Sequence, residues 1–253
     1  MSGWLAIAGL GPGAAELVTP EVTATLAQAT DLIGYAPYVS RVPERAGLIR
    51  HGSDNREELD RACLALRLAA EGKRVVIVSS GDPGVFAMAA AVFEALDGGD
   101  PAWRDLDIRV LPGISAMFAA AARIGAPLGH DFCAINLSDN LKPWELIERR
   151  LRLAAQADFV IALYNPLSKA RPWQLGRAFE LLREELPETV PVVFASAVSD
   201  AKETIEIATL RDARAERADM RTLVLIGSSR TKLIERGNSR PFVYTPRSAG
   251  VSS

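Results

Sequence analysis

The sequence predicts an α/β protein of two domains, the first built on a mostly parallel sheet and the second on a mixed one. Three observations point there. Apolar strand-like runs alternate with amphipathic helical stretches through the first half, the pattern of a parallel sheet covered on both faces. Three of those runs end in glycine-rich turns. Strands then crowd together around residues 192–226, a spacing that favours antiparallel pairs. The length of 253 residues lies where one core stops growing and chains divide. The expected boundaries are 1–113 for an N-terminal α/β domain with glycine-rich loops, 114–247 for a C-terminal α/β domain and 248–253 for a tail. The junction falls near 112–128.

Residues 4–10 read as a buried strand ending in Gly9-Leu10-Gly11-Pro12-Gly13. Thr19-Pro20-Glu21 has the marks of a helix start: Thr as the cap, Pro at the first helical position, an acid in the first turn. Val22, Leu26 and Ala29 follow at helical spacing and give that helix an apolar face. Residues 31–35 form a second strand. Residues 56–71 form an amphipathic helix through Leu59, Cys63, Leu66 and Ala70, stopped by Gly72, and 74–80 are an apolar strand. Gly81-Asp82-Pro83-Gly84 leads into an alanine-rich helix over about 85–96. A turn at 97–105 and a strand at 107–111 follow, closed by Pro112-Gly113-Ile114-Ser115. In the second half, strands are expected at 132–137, 159–164, 192–196, 204–208 and 222–226, with helices at 143–155 and 172–185. The stretch 237–253 is rich in Arg, Ser, Pro and Gly and is expected to fray, with Phe242-Val243-Tyr244 suited to docking. No internal repeat stands out.

Composition narrows the function. Apolar residues make up 49% and charged residues 24%, ordinary for a packed soluble protein, which excludes disordered, collagen-like and coiled-coil chains. Twenty-nine basic and 31 acidic residues leave a net charge of −2, so the chain has no global attraction for nucleic acid. Cys63 and Cys133 cannot form a disulfide framework, and no CxxC spacing is present. A reduced, cytoplasmic setting is expected. Met1-Ser2-Gly3-Trp4 lacks the marks of a signal peptide, and no stretch approaches the roughly 18 apolar residues of a membrane helix. Neither membrane nor metal is an expected partner.

In open α/β sheets ligands bind beyond the carboxyl ends of the strands, so the three glycine turns should line one crevice. Gly9-x-Gly11-x-x-Ala14 formally matches a dinucleotide fingerprint. Pro12, however, removes an amide from the loop that would cradle a pyrophosphate, and no acid stands near the end of strand two to hold a ribose. Nor is there a phosphate-binding lysine loop. A ligand with an adenosine and an amino-acid end suits these turns better than a nicotinamide dinucleotide. Asp82 offers a carboxylate to such a ligand; capping the helix after Pro83 is its competing role.

Gly9-Leu10-Gly11-Pro12-Gly13, Ser79-Ser80-Gly81-Asp82-Pro83-Gly84 and Pro112-Gly113-Ile114-Ser115-Ala116, in this order, resemble the tetrapyrrole methylase family. Further segments carry the resemblance along nearly the whole chain: Ile33-Gly34-Tyr35, the run from Gly125 to Phe132, Leu137-Ser138-Asp139 with Pro143-Trp144, and Leu163-Tyr164-Asn165-Pro166 with Ser168 and Arg171. These look like the ring-contracting branch of cobalamin biosynthesis. Pro83 stands where that branch often carries Ala, and a sister enzyme methylating another ring carbon is the alternative. The resemblance implies two α/β domains with S-adenosyl-L-methionine in the cleft between them, in a homodimer. It also implies methyl transfer to carbon 17 of precorrin-3B, with carbon 20 extruded as an acetyl group. Carried over residue by residue, the cofactor contacts are Pro12, Gly81, Asp82, Val85, Phe86, Ser115, Ala116, Leu163, Tyr164, Ala197, Thr222 and Leu225. Phe86, Leu163 and Ala197 are equally suited to a core.

A methyl on a sulfonium is already activated, so its transfer is an in-line displacement that needs mainly positioning. This agrees with the lack of a Gly-x-Ser-x-Gly elbow and of any Cys–His pair at a recognised spacing. The implied ring contraction asks for a general base. Candidates are His130, Asp131, Ser138, Asp139 and Lys142, with His130 also readable as a turn residue and Asp139 as a cap for the helix near Pro143. Substrate carboxylates would be met by Lys142, Arg149, Arg150, Lys169 and Arg171, with Lys169 and Arg171 favoured by their loop beside Tyr164. A non-enzymatic tetrapyrrole carrier would have no reason to keep these loops together.

Overall fold

The computed structural model describes residues 3–54, 57–168 and 171–248. The chain divides into two compact units, Met1–Ser115 and Ala116–Ser253. In the first, the elements run β1 (Trp4–Gly9), α1 (Pro20–Gln28), β2 (Asp31–Tyr35), α2 (Ala36–Val39), β3 (Ile49–Ser53), α3 (Glu58–Ala70), β4 (Arg74–Ser79), α4 (Met88–Gly98) and β5 (Asp107–Leu111). The five strands form one parallel sheet in the order β3-β2-β4-β1-β5.

Alternation along β1 sets the two faces. Leu5 and Ile7 join Ile33, Val75 and Ile77 against α3 and α4, while Ala6 and Ala8 join Leu32, Val76 and Val78 against Val22 of α1 and Val39 of α2. Both faces are therefore covered, as expected of a parallel sheet. Thr19 caps α1 as the sequence predicts, accepting the Val22 amide at 3.3 Å, with Pro20 opening the helix.

Strand β3 and the short helix α2 escape the sequence reading, and the start of α4 is misplaced by it. Strand β3 carries Arg50, His51 and Gly52 and has no apolar alternation. It is an edge strand, paired with β2 alone, so burial does not demand one. Helix α4 begins at Met88, later than the expected 85, because Phe86 has a left-handed backbone at φ 54° and Ala87 is extended. The expected turn at 97–105 contains a 3-10 helix at Pro101–Asp105.

The second unit runs α5 (Ala116–Ile124), β6 (Gly125–Ala126), β7 (Phe132–Asn136), α6 (Trp144–Gln156), β8 (Val160–Tyr164), α7 (Gln174–Glu185), β9 (Pro191–Ser196), β10 (Thr204–Thr209), β11 (Thr222–Ile226), β12 (Lys232–Arg236) and β13 (Ser239–Tyr244). Its main sheet, β10-β9-β11-β8-β7, is mixed: β7 and β8 are parallel and the other pairs antiparallel. Ile135, Leu163, Phe194 and Val224 pack with Ile147, Leu151, Leu175 and Phe179 of α6 and α7. The opposite face buries Ala162, Val193, Ala195 and Leu225, and α5 lies against β11.

The expected junction at 112–128 thus contains a helix, α5. The expectation that 237–253 frays is corrected over residues 237–248, while 249–253, most of the expected tail, lie outside the described residues. Strand β13 pairs with β12 and β6, and Val243 is buried. Thr245 then donates to the Pro127 carbonyl at 2.6 Å and bonds Thr231 at 2.8 Å, which anchors this stretch. Among the described residues no helix is long and apolar enough to cross a membrane.

Candidate active site

The helices after β1 and β4, which are neighbours in the first sheet, leave on opposite faces: α1 packs on one core and α4 on the other. Strand order reverses at such a point and the loops part, which is where α/β sheets hold ligands. Here the glycine turns meet. Gly11 and Gly81 exchange backbone hydrogen bonds, the Gly81 amide donating at 2.9 Å and the Gly11 amide at 3.2 Å. Gly9, Gly81 and Gly113 stack backbone on backbone, so that a Cβ on Gly9 or Gly113 would run into the Gly81 carbonyl. Glycine is required here by contact.

Asp82 joins two of the loops. Its Oδ1 accepts the Gly84 amide at 2.8 Å and its Oδ2 the Gly113 amide at 3.0 Å. The capping role for α4 is overturned, since α4 starts after Ala87. Arg41, which the sequence reading did not single out, holds the first loop from behind. Its Nη2 donates to the carbonyls of Leu10 at 2.6 Å and Gly13 at 3.2 Å, and both terminal nitrogens reach the Gly11 carbonyl at 3.3 Å. Pro12 sits half-buried in that held loop, Val85 is half-buried, and Phe86 is 48% exposed in its left-handed conformation. Ser115, 2% exposed, closes the unit.

Tyr35, Tyr38, Ser53 and Asp54 stand at the carboxyl ends of β2 and β3. The Tyr38 ring meets Tyr35 edge-on at 5.2 Å. Burial pushes the Tyr38 hydroxyl above its ordinary pKa, Tyr35 adds to this, and the charges of Arg41 and Arg61 oppose it. Asp31, at the opposite end of β2, is engaged by His51 and Thr30, each at 2.8 Å.

In the second unit the Tyr164 hydroxyl accepts the Met117 amide at 3.2 Å, which brings the start of α5, with Ala116, to the carboxyl end of β8. Asn165 follows at φ 50°, and Ala197, after β9, at φ 48°. Non-glycine residues seldom adopt this conformation, and such strain gathers at ligand sites. Thr222 is buried and donates to Asp219 at 2.7 Å. Partial burial raises the Asp219 pKa, but hydrogen bonds from Thr222, the Arg221 amide and Ser196 hold the carboxyl below its usual range. Leu163 is fully buried in the helix-covered core and Leu225 lies in the opposite buried face, so both side chains are core residues.

The catalytic candidates separate. Ser138 and Asp139 follow β7, whereas His130 and Asp131 precede it, with a strand of roughly 16 Å in between. Asp139 Oδ1 accepts from Arg171 at 2.8 Å and from Gln174 at 3.0 Å, and Arg171 also bonds Asn140. The capping alternative for Asp139 is thereby overturned. Lys142 donates to the Ser138 carbonyl at 3.1 Å. Partial burial and the charge of Arg150 lower its pKa, against Asp139. Arg149 and Arg150 are exposed on α6, and Lys169 lies outside the described residues. Asn136, not singled out from sequence, accepts from the Ser138 amide at 2.9 Å and from Asn165 at 3.0 Å, tying the β7 and β8 loops together.

Residues 5–214 match the family of tetrapyrrole (corrin/porphyrin) methylases. The chain is 59% identical over 247 residues to a precorrin-3B C(17)-methyltransferase of Sinorhizobium sp, covering 98% of this chain and 97% of that protein. Among solved structures it is similar to the methyltransferase CobJ, at 60% identity with a TM-score of 0.92, covering 97% of this chain and all of that one. A uroporphyrin-III C-methyl transferase from Thermus thermophilus, complexed with S-adenosyl homocysteine, shares the fold at 23% identity and a TM-score of 0.68, over 89% of this chain and 97% of that one. The glycine turns, their ordered spacing and these matches agree, and the chain belongs to the tetrapyrrole methylase family.

Proposed function

We propose that this protein is a precorrin-3B C(17)-methyltransferase that uses S-adenosyl-L-methionine, contracts the ring and extrudes carbon 20 as an acetyl group. The observation that carries the reading is the meeting of the β1, β4 and β5 loops at the sheet's switch point, with Asp82 tying two of them. The backbone packing of Gly9, Gly81 and Gly113 draws the three loops together without intervening side chains, which suits an adenosine and an amino-acid end held along the loops rather than a phosphate cradle. The near full-length identity to the Sinorhizobium enzyme supports the carbon.

When bound, the cofactor supplies an activated methyl, so the protein's task is alignment. Pro12, Gly81, Asp82, Val85, Phe86, Ser115, Ala116, Tyr164, Ala197 and Thr222 are the residues we assign to holding it. Asp139, oriented by Arg171 and Gln174, takes the proton for ring contraction, with Ser138 adjacent in sequence. Lys142 and Arg171 meet substrate carboxylates through charge-assisted hydrogen bonds. His130, at the far end of β7, is not part of this group. Cytoplasmic residence and a homodimer complete the reading and rest on the family resemblance.

The test is calorimetry with S-adenosyl-L-homocysteine, followed by anaerobic incubation with S-adenosyl-L-methionine and precorrin-3B. Binding and a pigment mass gain of one methyl are expected. No binding and no transfer would overturn the reading.

A further inference from the structure

The carboxyl edge of the first sheet also holds a buried cation that has no counter-ion among the described residues. Arg61 lies in the first half of α3 and is 4% exposed. Its Nη1 donates to the Asp54 carbonyl at 2.9 Å and to the Ser53 hydroxyl at 3.4 Å. Its Nε is shielded from water and bonds nothing. Among the described residues no carboxylate pairs with it. A buried, unpaired guanidinium is costly to fold, because its hydration is lost and no charge replaces it. Arg45 and Arg50 differ. They are half-buried or more exposed and spend their donors on carbonyls at the ends of α1 and α2.

The groups around Arg61 are hydroxyls and two acids, Asp54 and Glu58, the latter also acting on Tyr38. Ser53 and Asp54 end β3, Tyr35 ends the neighbouring β2, and Tyr38 follows in α2 within the electrostatic reach of both Arg61 and Arg41. With its pKa raised by burial, the Tyr38 hydroxyl stays protonated at neutral pH and can donate. With Nη1 committed to Asp54 and Ser53, the Nε–Nη2 edge keeps its donors for an anion, and because Nε is shielded in this structure a carboxylate reaches it only when neighbouring side chains shift.

We propose that Arg61 and Tyr38 form an anion subsite that takes one carboxylate of the polycarboxylate tetrapyrrole. The proposal rests on the methylase reading. It differs from that reading in assigning substrate recognition to the β2–β3 end of the first sheet, apart from the glycine loops.

The experiment titrates wild type, Arg61→Met, Arg61→Lys and Tyr38→Phe with uroporphyrin III as a stable polycarboxylate probe, following its fluorescence. S-adenosyl-L-homocysteine affinity and melting temperature are measured alongside. The expected result is a loss of uroporphyrin affinity of about tenfold or more for Arg61→Met and a smaller loss for Tyr38→Phe, with homocysteine-ligand affinity unchanged. Arg61→Met should melt at the same temperature or higher, since an apolar side chain replaces an unpaired buried charge. A structural arginine would behave oppositely: lower melting temperature, unchanged pigment affinity. Should Arg61→Met fail to fold, Arg61→Lys and Tyr38→Phe decide, and unchanged pigment affinity in both overturns the proposal. Loss of homocysteine-ligand affinity instead would assign the subsite to the amino-acid end of the donor and also overturn it. A wild type that binds the homocysteine ligand but no uroporphyrin overturns the subsite and leaves the methylase reading standing.

Discussion

At Asp82 one carboxylate holds two loops, and its loss should be felt in binding before stability. Asp82→Ala leaves the Gly84 and Gly113 amides without their acceptor. Calorimetry should show S-adenosyl-L-homocysteine affinity at least about tenfold weaker, with a stability loss of about 1–3 kcal/mol in denaturant titration. An unchanged affinity would remove Asp82 from the site. Arg41 and Arg45 form a matched pair, since both donate to backbone carbonyls, but only Arg41 reaches the glycine loop. Arg41→Ala and Arg45→Ala should both lower the melting temperature, whereas only Arg41→Ala weakens the homocysteine ligand. Asp82 was legible in the sequence because it sits inside the glycine turn at 81–84, although its bond to Gly113 spans 31 positions and was not. Arg41 was not, since its partners are some thirty positions away and no local pattern announces them. Cys133 offers a chemical check: burial pushes its thiol up to about 11. The thiolate is the reactive form, so alkylation of Cys133 should be negligible at pH 8 and rise only as pH approaches 11.

Among the elements, strands with apolar runs and helices with clear caps were legible, and α1 and β2 fall where the sequence places them. Elements held by tertiary pairing were not. Strand β3 has polar composition and exists because β2 offers it an edge; β12 went unread, and β13 stands in a stretch that reads as a tail until its pairing with β12 and β6 is seen. The start of α4 was misjudged because alanine-rich sequence favours helix through Phe86, while the backbone there is left-handed. Phe86→Gly removes the conformational cost of that turn. The melting temperature should hold or rise, and cofactor affinity should fall with the loss of the aromatic ring. A rise in affinity would mean that the ring obstructs the site rather than lining it.

Across the whole molecule, charge is balanced and stability should respond to acid through a few held carboxylates. Glu203 is pushed up by partial burial, yet the Ser199 amide and Arg123 hold its pKa below the ordinary value, and Asp219 is held low in the same way. A depressed folded pKa contributes stability above the unfolded pKa of about 4 and loses it as pH falls through the folded value. The melting temperature should therefore be nearly flat from about pH 8 to 5 and fall steeply below about pH 4, where scanning calorimetry reads it. The central claim, methylation of carbon 17 with ring contraction, is tested most directly by NMR of the pigment after anaerobic reaction of the purified protein with S-adenosyl-L-methionine and precorrin-3B. The account predicts one new methyl on carbon 17 and carbon 20 displaced as an acetyl group. A methyl on any other ring carbon, with the macrocycle intact, would contradict it.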